Sequence, residues 1–544
     1  MGRRSGIRAD HFELANIQRL SALYYEMLPD ADNPLNEVVF GTSGHRGTPL
    51  NASFTQKHIE AITQAIVQQR RKCHITGPLF IGLDTHALSE CALHTALEVL
   101  CANEVETVVQ NDFAYTPTPV ISREIVRWNL SHPDRPADGI IITPSHNPPQ
   151  DGGFKYNPPH GGPASPEYTA PIAAAANEIL KNGCKAVHRL TWQQTQGSPC
   201  LHFKDMRTPY VTELASVINL QDIAGSGLKI AVNPQGGASL LYWDQIAEQY
   251  QLNLEVINRR IDPTFSFMPY DYDDNIRMDC MSPYTMQPLI ELKDKFDFCI
   301  ANDPDADRHG IVTRQGLLNS NKYLCSIIHY LCRSRQNWPA DAAVGKTIGA
   351  SIMMDKIIED AGRKVFETPI GFKWFSGGLF RRELVFGCEE SAGASYLDLN
   401  GRPFTTDKDG FLAGLIGAEM CAVSGLSADD YYARLTGRFG TPYYGRIDAI
   451  TTPEGKQAFA KLTEKSVTST MLAGQPIKAV MTRAPGNQAP IGGIKVLAEN
   501  CWFSARPSGT ENIYKIYFES FISPEHLQQV REDAVNIVNH AIKS

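Results

Sequence analysis

The chain has 544 residues, a length that accommodates roughly three to five domains. Hydrophobic residues make up 42% and charged residues 20%, and the 42 glycines and 34 prolines follow no fixed period, which indicates a turn-rich globular protein and excludes a collagen-like one. The 51 basic and 59 acidic residues give a formal charge of −8, which argues against a polyanion-binding surface over the whole molecule but leaves room for local basic pockets that bind small anions.

The cysteines, the first residues and the apolar stretches of the sequence together predict the cellular compartment. The 12 cysteines are scattered from Cys73 to Cys501 without a Cys-x-x-Cys pair, which is unlike a zinc ribbon or a thioredoxin site and is typical of reduced thiols in the cytosol. The first 14 residues lack the apolar run of a signal peptide. The most apolar helical stretch, 411–423, is shorter than the roughly 20 residues that cross a bilayer. We therefore expect a cytoplasmic protein that binds neither membranes nor nucleic acids.

The predicted elements form three similar units and a different fourth one. The segment 12–28 is amphipathic and predicts a helix that packs on the body of the protein or on a second subunit. After it, short apolar runs alternate with helical patterns, which is typical of α/β domains with largely parallel sheets. The predicted strands of the three units are 79–83, 107–110 and 139–143; then 228–232, 254–257 and 296–300; then 364–367 and 384–387. The predicted helices are 90–103 and 119–130; then 238–251; then 347–361 and 410–422.

The last hundred residues predict a smaller α+β domain, because several strands surround two helices. The strands are 444–450, 477–481, 494–497, 502–505 and 514–521, and the helices are 454–464 and 525–542. The fold class is thus three similar mixed α/β domains plus a smaller C-terminal domain. The predicted boundaries are 1–205, 206–320, 321–439 and 440–544.

A serine follows the last strand of the first unit. The sequence Thr-Pro-Ser-His-Asn-Pro, 143–148, places Ser145 in a loop at the carboxyl edge of a parallel sheet, where α/β proteins bind ligands. Ser145 is therefore a candidate nucleophile, although Ser, Asn and Pro also form ordinary turns. Shortly afterwards, a glycine-rich turn at 151–153 precedes Lys155.

Three carboxylates follow a strand of the second unit. Asp303, Asp305 and Asp307 alternate along the chain and precede Arg308. Like charges held this close favour a divalent cation, and carboxylate oxygens suit Mg²⁺ that shares its coordination with a phosphate. An EF-hand is excluded because Arg308 stands where that loop needs glycine. The alternative is a solvated acidic turn.

Three further loops carry groups suited to phosphates or sugars. Arg506, Ser508, Gly509 and Thr510 combine a forked cation, two hydroxyls and accessible backbone amides, which suits a phosphate. The segment 41–47, with Arg46, has the same ingredients. Glu389 and Ser391 lie two residues apart after a strand and could bind sugar hydroxyls, unless Ser391 caps a helix. The loops at 506–510 and 41–47 could also be structural turns.

Five motifs in series carry a family resemblance. They are TPSHNP around Ser145, DPDADR at 303–308, TPIGFKW at 368–374, CEESAG at 388–393 and RPSGTE at 506–511. In this order and spacing, the chain from about residue 38 to its end resembles the α-D-phosphohexomutase superfamily and, within it, the bacterial phosphoglucomutases. The resemblance implies four domains around a deep central cleft, a hexose phosphate substrate, and either a monomer or a homodimer.

The resemblance also implies roles for single residues. Ser145 would carry a phosphoryl group, and Asp303, Asp305 and Asp307 would hold one Mg²⁺ per chain together with an oxygen of that phosphoserine. Arg308 would stand beside the metal. Glu389 and Ser391 match the sugar-binding loop, and Arg506, Ser508, Gly509 and Thr510 match the loop for the substrate's existing phosphate. The positions that resemble basic residues of the cleft are Arg46, His146, Lys155, Lys373 and Lys408.

The implied reaction interconverts glucose 1-phosphate and glucose 6-phosphate through glucose 1,6-bisphosphate, which serves as intermediate and activator. Phosphoserine donates its phosphoryl group to the free hydroxyl, the bisphosphate reorients, and the serine takes back the other phosphate. The metal and Arg308 would neutralise charge on the transferring group. For the general base, Lys155 is the first choice and His146 the second.

Two departures and three alternatives accompany the resemblance. His86 stands where many relatives have arginine, so no phosphate contact is assigned to it, and Cys388 replaces a common glycine before the two glutamates. A phosphomannomutase or another phosphohexomutase, such as a phosphoglucosamine mutase, is the alternative within the class. A regulator without catalysis and a Mg²⁺-dependent phosphatase are alternatives outside it.

Overall fold

The structure is a computed structural model that describes residues 2–30, 32–41, 43–507 and 513–542. It contains three α/β domains followed by a smaller fourth domain, which confirms the predicted fold class. Short 3-10 helices lie between the main elements, at His11–Glu13, Pro34–Asn36, Pro49–Asn51, Asn111–Phe113, Leu214–Ser216 and Glu464–Ser466.

The first domain is built on a six-stranded sheet with the order β1-β5-β4-β2-β3-β6. Its strands are β1 (His45–Gly47), β2 (Leu79–Leu83), β3 (Thr107–Gln110), β4 (Asp138–Ile142), β5 (Gly152–Asn157) and β6 (Leu201–Lys204). Its helices are α1 (Ile17–Glu26), α2 (Gln56–Lys72), α3 (Ala87–Ala102), α4 (Thr118–Ser131), α5 (Pro166–Lys181) and α6 (Trp192–Gln196). The central strands are buried throughout because helices cover the sheet.

The second domain has the sheet order β11-β10-β9-β7-β8. Its strands are β7 (Ile230–Asn233), β8 (Leu254–Val256), β9 (Phe298–Ala301), β10 (Gly310–Thr313) and β11 (Gly316–Leu317). Its helices are α7 (Arg207–Glu213), α8 (Leu220–Ser226), α9 (Leu240–Tyr250) and α10 (Gln287–Ile290).

The third domain has the sheet order β13-β12-β14-β15. Its strands are β12 (Ala343–Thr347), β13 (Val365–Thr368), β14 (Leu384–Glu389) and β15 (Gly393–Tyr396). Its helices are α11 (Ser320–Ser334), α12 (Met353–Asp360), α13 (Lys373–Phe380), α14 (Gly410–Ser424) and α15 (Ala428–Phe439).

The fourth domain packs helices against an antiparallel sheet with the order β16-β22-β21-β20-β19, beside the small pair β17-β18. Its strands are β16 (Tyr443–Ile450), β17 (Met471–Leu472), β18 (Gln475–Pro476), β19 (Ala479–Arg483), β20 (Pro490–Leu497), β21 (Cys501–Pro507) and β22 (Ile513–Ser520). Its helices are α16 (Pro453–Ala460) and α17 (Pro524–Ala541).

The three α/β domains share one arrangement that bears directly on function. In each, a strand that pairs in parallel on one side continues through a loop into an antiparallel return strand, namely β4 into β5, β9 into β10 and β14 into β15. The predicted serine, aspartate and glutamate motifs occupy these three loops or their edges. The structural repetition therefore places one of the predicted motifs in each of the three α/β domains.

The predicted helix 347–361 is wrong in its first half. Thr347 ends β12, which pairs on both sides with β13 and β14, and the helix begins only at Met353. Two-sided strand pairing overrides the local helical pattern here. The predicted glycine turn at 151–153 is also mostly a strand, because β5 starts at Gly152.

The apolar core differs between the first three domains and the last. One buried cluster runs from the first domain through the second and third, where the Phe411 ring contacts the rings of Tyr210, Tyr242 and Trp243. The fourth domain buries a separate cluster between its sheet and α17. The loops of the first three domains are therefore held by continuous packing.

Among the described residues, no single helix has the length and apolar character needed to cross a bilayer; only α14 and α15 taken together do, and they meet at a bend of 78°.

Candidate active site

Ser145 lies three residues beyond β4 in an unusual backbone conformation. Its φ of +61° is in the left-handed region, which non-glycine residues seldom occupy and which is often found at functional sites. Its backbone N–H donates to Thr143 Oγ1 at 2.8 Å, and its Oγ donates to Asp303 Oδ2 at 2.7 Å. Gly153 makes the loop possible, since a Cβ there would lie 2.1 Å from the carbonyl oxygen of Thr143. The serine is thus aimed at the aspartate loop of the second domain.

The three aspartates form a buried cluster in the loop between β9 and β10. Asp303, Asp305 and Asp307 each offer an oxygen within 4.8 Å of the others. Asp305 Oδ1 and Asp307 Oδ1 are buried without a hydrogen-bond partner, as expected for oxygen atoms that bind a cation. Hard carboxylate oxygens suit Mg²⁺, and Ser145 Oγ lies beside them. The residues therefore fit a magnesium site.

Cations from the first and third domains meet this cluster. Lys155 Nζ on β5 lies 2.6 Å from Asp305 Oδ2 and 3.1 Å from Asp307 Oδ2. Lys408 Nζ lies 2.8 Å from Asp307 Oδ2. Three domains therefore contribute groups to one buried site, where Ser145, Lys155, Lys408 and the three aspartates of the predicted set lie together.

The buried charges shift the pKa values of the carboxyl groups in opposite directions. Burial and the charges of Asp305 and Asp307 raise the pKa of Asp303 well above its usual range. Burial acts the same way on Asp307, but Lys155, Lys408 and Arg308 outweigh it and hold the pKa of Asp307 below its usual range. Burial would lower the pKa of Lys155, yet Asp305 and Asp307 raise it. The metal-free site thus favours a charged Asp307 and disfavours a charged Asp303.

His146 and Arg308 each lie near one carboxylate oxygen of Asp279, a residue that the sequence analysis did not single out. His146 Nδ1 is 3.8 Å from Asp279 Oδ2, and Arg308 NH1 is 4.0 Å from Asp279 Oδ1. Burial and the charge of Arg308 lower the pKa of His146 well below its usual range. These two influences favour the neutral imidazole, while the charge of Asp279 opposes them.

The two predicted sugar-binding residues, Glu389 and Ser391, lie at the end of β14 and just beyond it. Glu389 is its last residue, and its Oε1 accepts a hydrogen bond from the Gly371 backbone at 3.0 Å. Ser391 lies in the turn to β15, so it caps no helix, and that alternative is wrong. The Cys388 thiol contacts the Gly345 carbonyl at 3.6 Å inside the sheet. Because side chains alternate along a strand, this leaves Glu389 on the opposite face.

The remaining predicted cations occupy separate places. Arg46 lies on β1 opposite Gly153, and its guanidinium donates to Asn147 Oδ1 at 2.9 Å, beside the serine loop. Lys373 begins α13 and is partly buried, which lowers its pKa. Arg506 lies near the end of β21 beside Tyr517. Ser508, Gly509 and Thr510 lie outside the described residues.

Thr118 is a second residue at the site that sequence reasoning missed. Its Oγ1 donates to Asp305 Oδ2 at 2.6 Å and its backbone N–H donates to the Asp305 carbonyl at 2.9 Å, so the start of α4 is fixed to the aspartate loop. The Thr-Pro pair at 118–119 marked a helix start but not this contact. Asp279 carried no sequence signal at all.

Comparisons with known proteins agree along the whole chain. Four family models of phosphoglucomutase/phosphomannomutase match it: alpha/beta/alpha domain I at residues 37–183, domain II at 208–316, domain III at 319–439 and the C-terminal domain at 456–537. A phosphoglucomutase of Komagataeibacter xylinus is 48% identical over 536 residues, which cover 98% of this chain and 97% of that protein.

Solved structures show the same fold. The open form of parafusin, a Paramecium phosphoglucomutase, aligns with a TM-score of 0.74 at 20% identity over 95% of this chain and 96% of its own. A putative phosphomannomutase from Thermus thermophilus aligns with a TM-score of 0.71 at 22% identity, over 92% of this chain and 99% of its own. With four domains matched in order and a nearly full-length relative at 48% identity, the chain belongs to the phosphoglucomutase/phosphomannomutase family of enzymes.

Proposed function

We propose that this enzyme interconverts α-D-glucose 1-phosphate and glucose 6-phosphate through a phosphoserine at Ser145 and glucose 1,6-bisphosphate. The observation that carries the proposal is the Ser145 hydroxyl, held 2.7 Å from Asp303 at the edge of a buried three-aspartate cluster. The choice of glucose over other hexoses is supported by the 48% identical relative, which is a phosphoglucomutase.

In the proposed reaction, phosphoserine 145 gives its phosphoryl group to the free hydroxyl of the sugar, and the hydroxyl proton passes to a base of the enzyme. Asp303, Asp305 and Asp307 would hold one Mg²⁺ beside the phosphorylated Ser145. When bound, Mg²⁺ neutralises charge on the transferring group. Arg308, partly buried beside Asp279 and Asp307, adds a second positive charge at the same place.

The other candidate residues bind and orient the substrate in this proposal. Glu389 and Ser391 bind sugar hydroxyls, and Arg506, Ser508, Gly509 and Thr510 bind the phosphate that does not react. Arg46, Lys373 and Lys408 supply further positive charge. Because the bisphosphate must reorient, these groups have to recognise both ends of the sugar. Glucose 1,6-bisphosphate also serves as the activator that first phosphorylates Ser145.

The proposal includes the predicted organisation of the chain. One binding loop belongs to each of the domains 1–205, 206–320, 321–439 and 440–544. The enzyme acts in the cytoplasm as a monomer or a homodimer, and the unpaired state of the 12 cysteines supports a reducing compartment. A phosphomannomutase or another phosphohexomutase is the alternative within the family.

Turnover of paired substrates tests the proposed function. With Mg²⁺ and a trace of glucose 1,6-bisphosphate, we expect kcat/KM for glucose 1-phosphate to exceed that for mannose 1-phosphate by about tenfold or more, as expected if the site hydrogen-bonds a hydroxyl whose position differs between the two sugars. The intact mass should show one phosphoryl group that substrate removes. A preference for mannose 1-phosphate would favour the phosphomannomutase alternative, and release of free phosphate in place of the isomer would indicate a phosphatase.

The general base is tested by comparing variants of Lys155 and His146. Asp305 and Asp307 raise the pKa of Lys155, so they oppose the loss of the proton that Lys155 must give up before its amine can act as a base. A cation bound by those carboxylates would weaken this effect. Lys155→Arg keeps the charge but cannot exchange the proton near neutral pH, so we expect kcat to fall about 100-fold. His146→Gln, which keeps a polar side chain, should retain kcat within about fivefold. A larger loss in His146→Gln than in Lys155→Arg would assign the base to His146.

A further inference from the structure

His86 lies in a buried turn between β2 and α3, next to the serine loop but without contact to Ser145 itself. Its Nδ1 lies 2.8 Å from Asp84 Oδ2, and its Nε2 lies 3.0 Å from the backbone carbonyl oxygen of Asn147. The side chains of His86 and Asp84 are both fully shielded from solvent. The ring therefore connects Asp84 to the residue two positions after Ser145.

The two partners determine the protonation of the ring. A carbonyl oxygen can only accept, so Nε2 must carry a proton. Asp84 accepts four hydrogen bonds, from the His86 backbone at 3.0 Å, Ser89 Oγ at 2.7 Å, Thr143 Oγ1 at 2.6 Å and the His86 ring. A carboxyl group that accepts on both oxygens in this way is ionised, so Nδ1 carries a proton too. His86 is thus a charged imidazolium.

The charges around the ring agree with this protonation state. Burial alone would lower the pKa of His86, but the charge and hydrogen bond of Asp84, the Asn147 carbonyl and the charge of Asp151 raise it. On the other side, the ring contacts Phe265 of the second domain, at 4.9 Å between centroids, which contributes no charge. Burial would raise the pKa of Asp84, but the charge of His86 and the hydrogen bonds from His86, Thr143 and Ser89 hold it below its usual range.

The pair reaches Ser145 from both sides. Thr143 Oγ1 gives its only proton to Asp84, so the Thr143 oxygen is left to accept the Ser145 backbone N–H at 2.8 Å. On the other flank, His86 holds the Asn147 carbonyl. Hydrogen bonds from one ion pair therefore hold Thr143 and Asn147, the residues two positions before and after Ser145. Ser145 itself has a left-handed φ of +61°. A strained conformation of this kind persists only where its surroundings impose it.

We propose that the Asp84–His86 ion pair is a positioning unit that holds the Ser145 loop in its reactive conformation. The inference rests on the proposed function of Ser145 as the phosphoryl carrier. His86 touches neither substrate nor metal ligands in this role and acts only through Thr143 and Asn147. Its loss should therefore lower the rate of phosphoryl transfer more than the affinity for the sugar phosphate.

The experiment compares His86→Gln with His58→Gln in the full-length enzyme. His58 is a matched control, because it is buried in the first domain and bonds Thr55 Oγ1 and the Asn36 carbonyl at 2.9 Å each, neither of which belongs to the Ser145 loop or the aspartate loop. We expect His86→Gln to lower kcat and the rate of Ser145 phosphorylation by glucose 1,6-bisphosphate, followed by intact mass, about 10- to 100-fold, with KM changed less than about threefold. His58→Gln should lower the melting temperature while kcat stays within about threefold.

A second pair of variants tests the same link independently of whether His86→Gln folds. Thr143→Val removes the hydroxyl link at nearly constant volume and should lower kcat about tenfold, while Thr143→Ser keeps the hydroxyl and should recover kcat to within about threefold of wild type. Nitrogen-15 spectra of wild type at pH 7 should show two protonated ring nitrogens for His86, assigned by their loss in His86→Gln.

The outcomes separate this inference from the proposed function. A bare ring nitrogen on His86, an unchanged kcat in His86→Gln, an equal loss of kcat in His58→Gln, or failure of Thr143→Ser to recover activity would each overturn the positioning role. A wild-type protein without turnover of any hexose phosphate would instead overturn the proposed function, and the ring-nitrogen spectra would still test the ion pair.

Discussion

Replacement of Ser145 by alanine is expected to lower mutase activity about 10⁴-fold or more, because the hydroxyl oxygen that carries the phosphoryl group in the proposed reaction is removed. The variant should also show no added phosphoryl group in its intact mass after incubation with glucose 1,6-bisphosphate. Coupled assay of glucose 6-phosphate formation and mass spectrometry measure the two effects on the same sample.

Ser145→Gly separates the chemistry from the fold. Glycine adopts a φ near +61° without steric cost, whereas alanine is disfavoured there by about 1 kcal/mol, so the glycine variant should be inactive but have a free energy of unfolding about 1 kcal/mol above that of Ser145→Ala. Ser131→Ala, at an exposed serine on α4, serves as the control with unchanged activity. Mutase turnover retained in both Ser145 variants would refute the phosphoserine mechanism.

The loops at strand ends were predictable because they depend on local pattern. An apolar strand followed by polar residues with Pro or Gly places those residues at the carboxyl edge of a sheet, and both Ser145 and Asp303 lie there. The antiparallel strand β5 was not predicted, since Gly152 and Gly153 look like a turn. The missing side chain of Gly153 instead lets the strand approach the Thr143 carbonyl, and that of Gly152 leaves room for the Phe54 ring.

The contacts between loops were not predictable in the same way. Lys155, Thr118 and Lys408 all reach the aspartate cluster from other domains, and such contacts depend on how domains dock rather than on neighbouring residues. The protonation of His86 is a further case. It is imposed by Asp84 and by the Asn147 carbonyl across the loop, whereas the sequence analysis assigned His86 no contact.

Asp303 and Asp307 are expected to respond differently to the same substitution. Replacement of either by asparagine removes a proposed Mg²⁺ ligand, and the loss of several kcal/mol of charge stabilisation corresponds to about a 10³-fold fall in kcat. Stability should differ between the two. Asp307 faces the ammonium groups of Lys155 and Lys408, so Asp307→Asn leaves buried cations without this partner and should cost about 3 kcal/mol of unfolding free energy.

Asp303→Asn should instead leave the metal-free protein as stable as wild type or more so. Burial and the charges of Asp305 and Asp307 disfavour the ionised form of Asp303, so a neutral side chain of the same size removes repulsion. Its oxygen can still accept from the Arg308 backbone, and its NH₂ group can donate to Ser145 Oγ in place of the present bond. Urea unfolding in EDTA measures the stability of both variants, and assays with added Mg²⁺ measure their activity. Equal destabilisation by the two substitutions would show that the hydrogen bonds of Asp303 outweigh the repulsion from Asp305 and Asp307. The expected difference in stability would instead mean that the Asp303 carboxylate serves metal binding although it destabilises the folded protein.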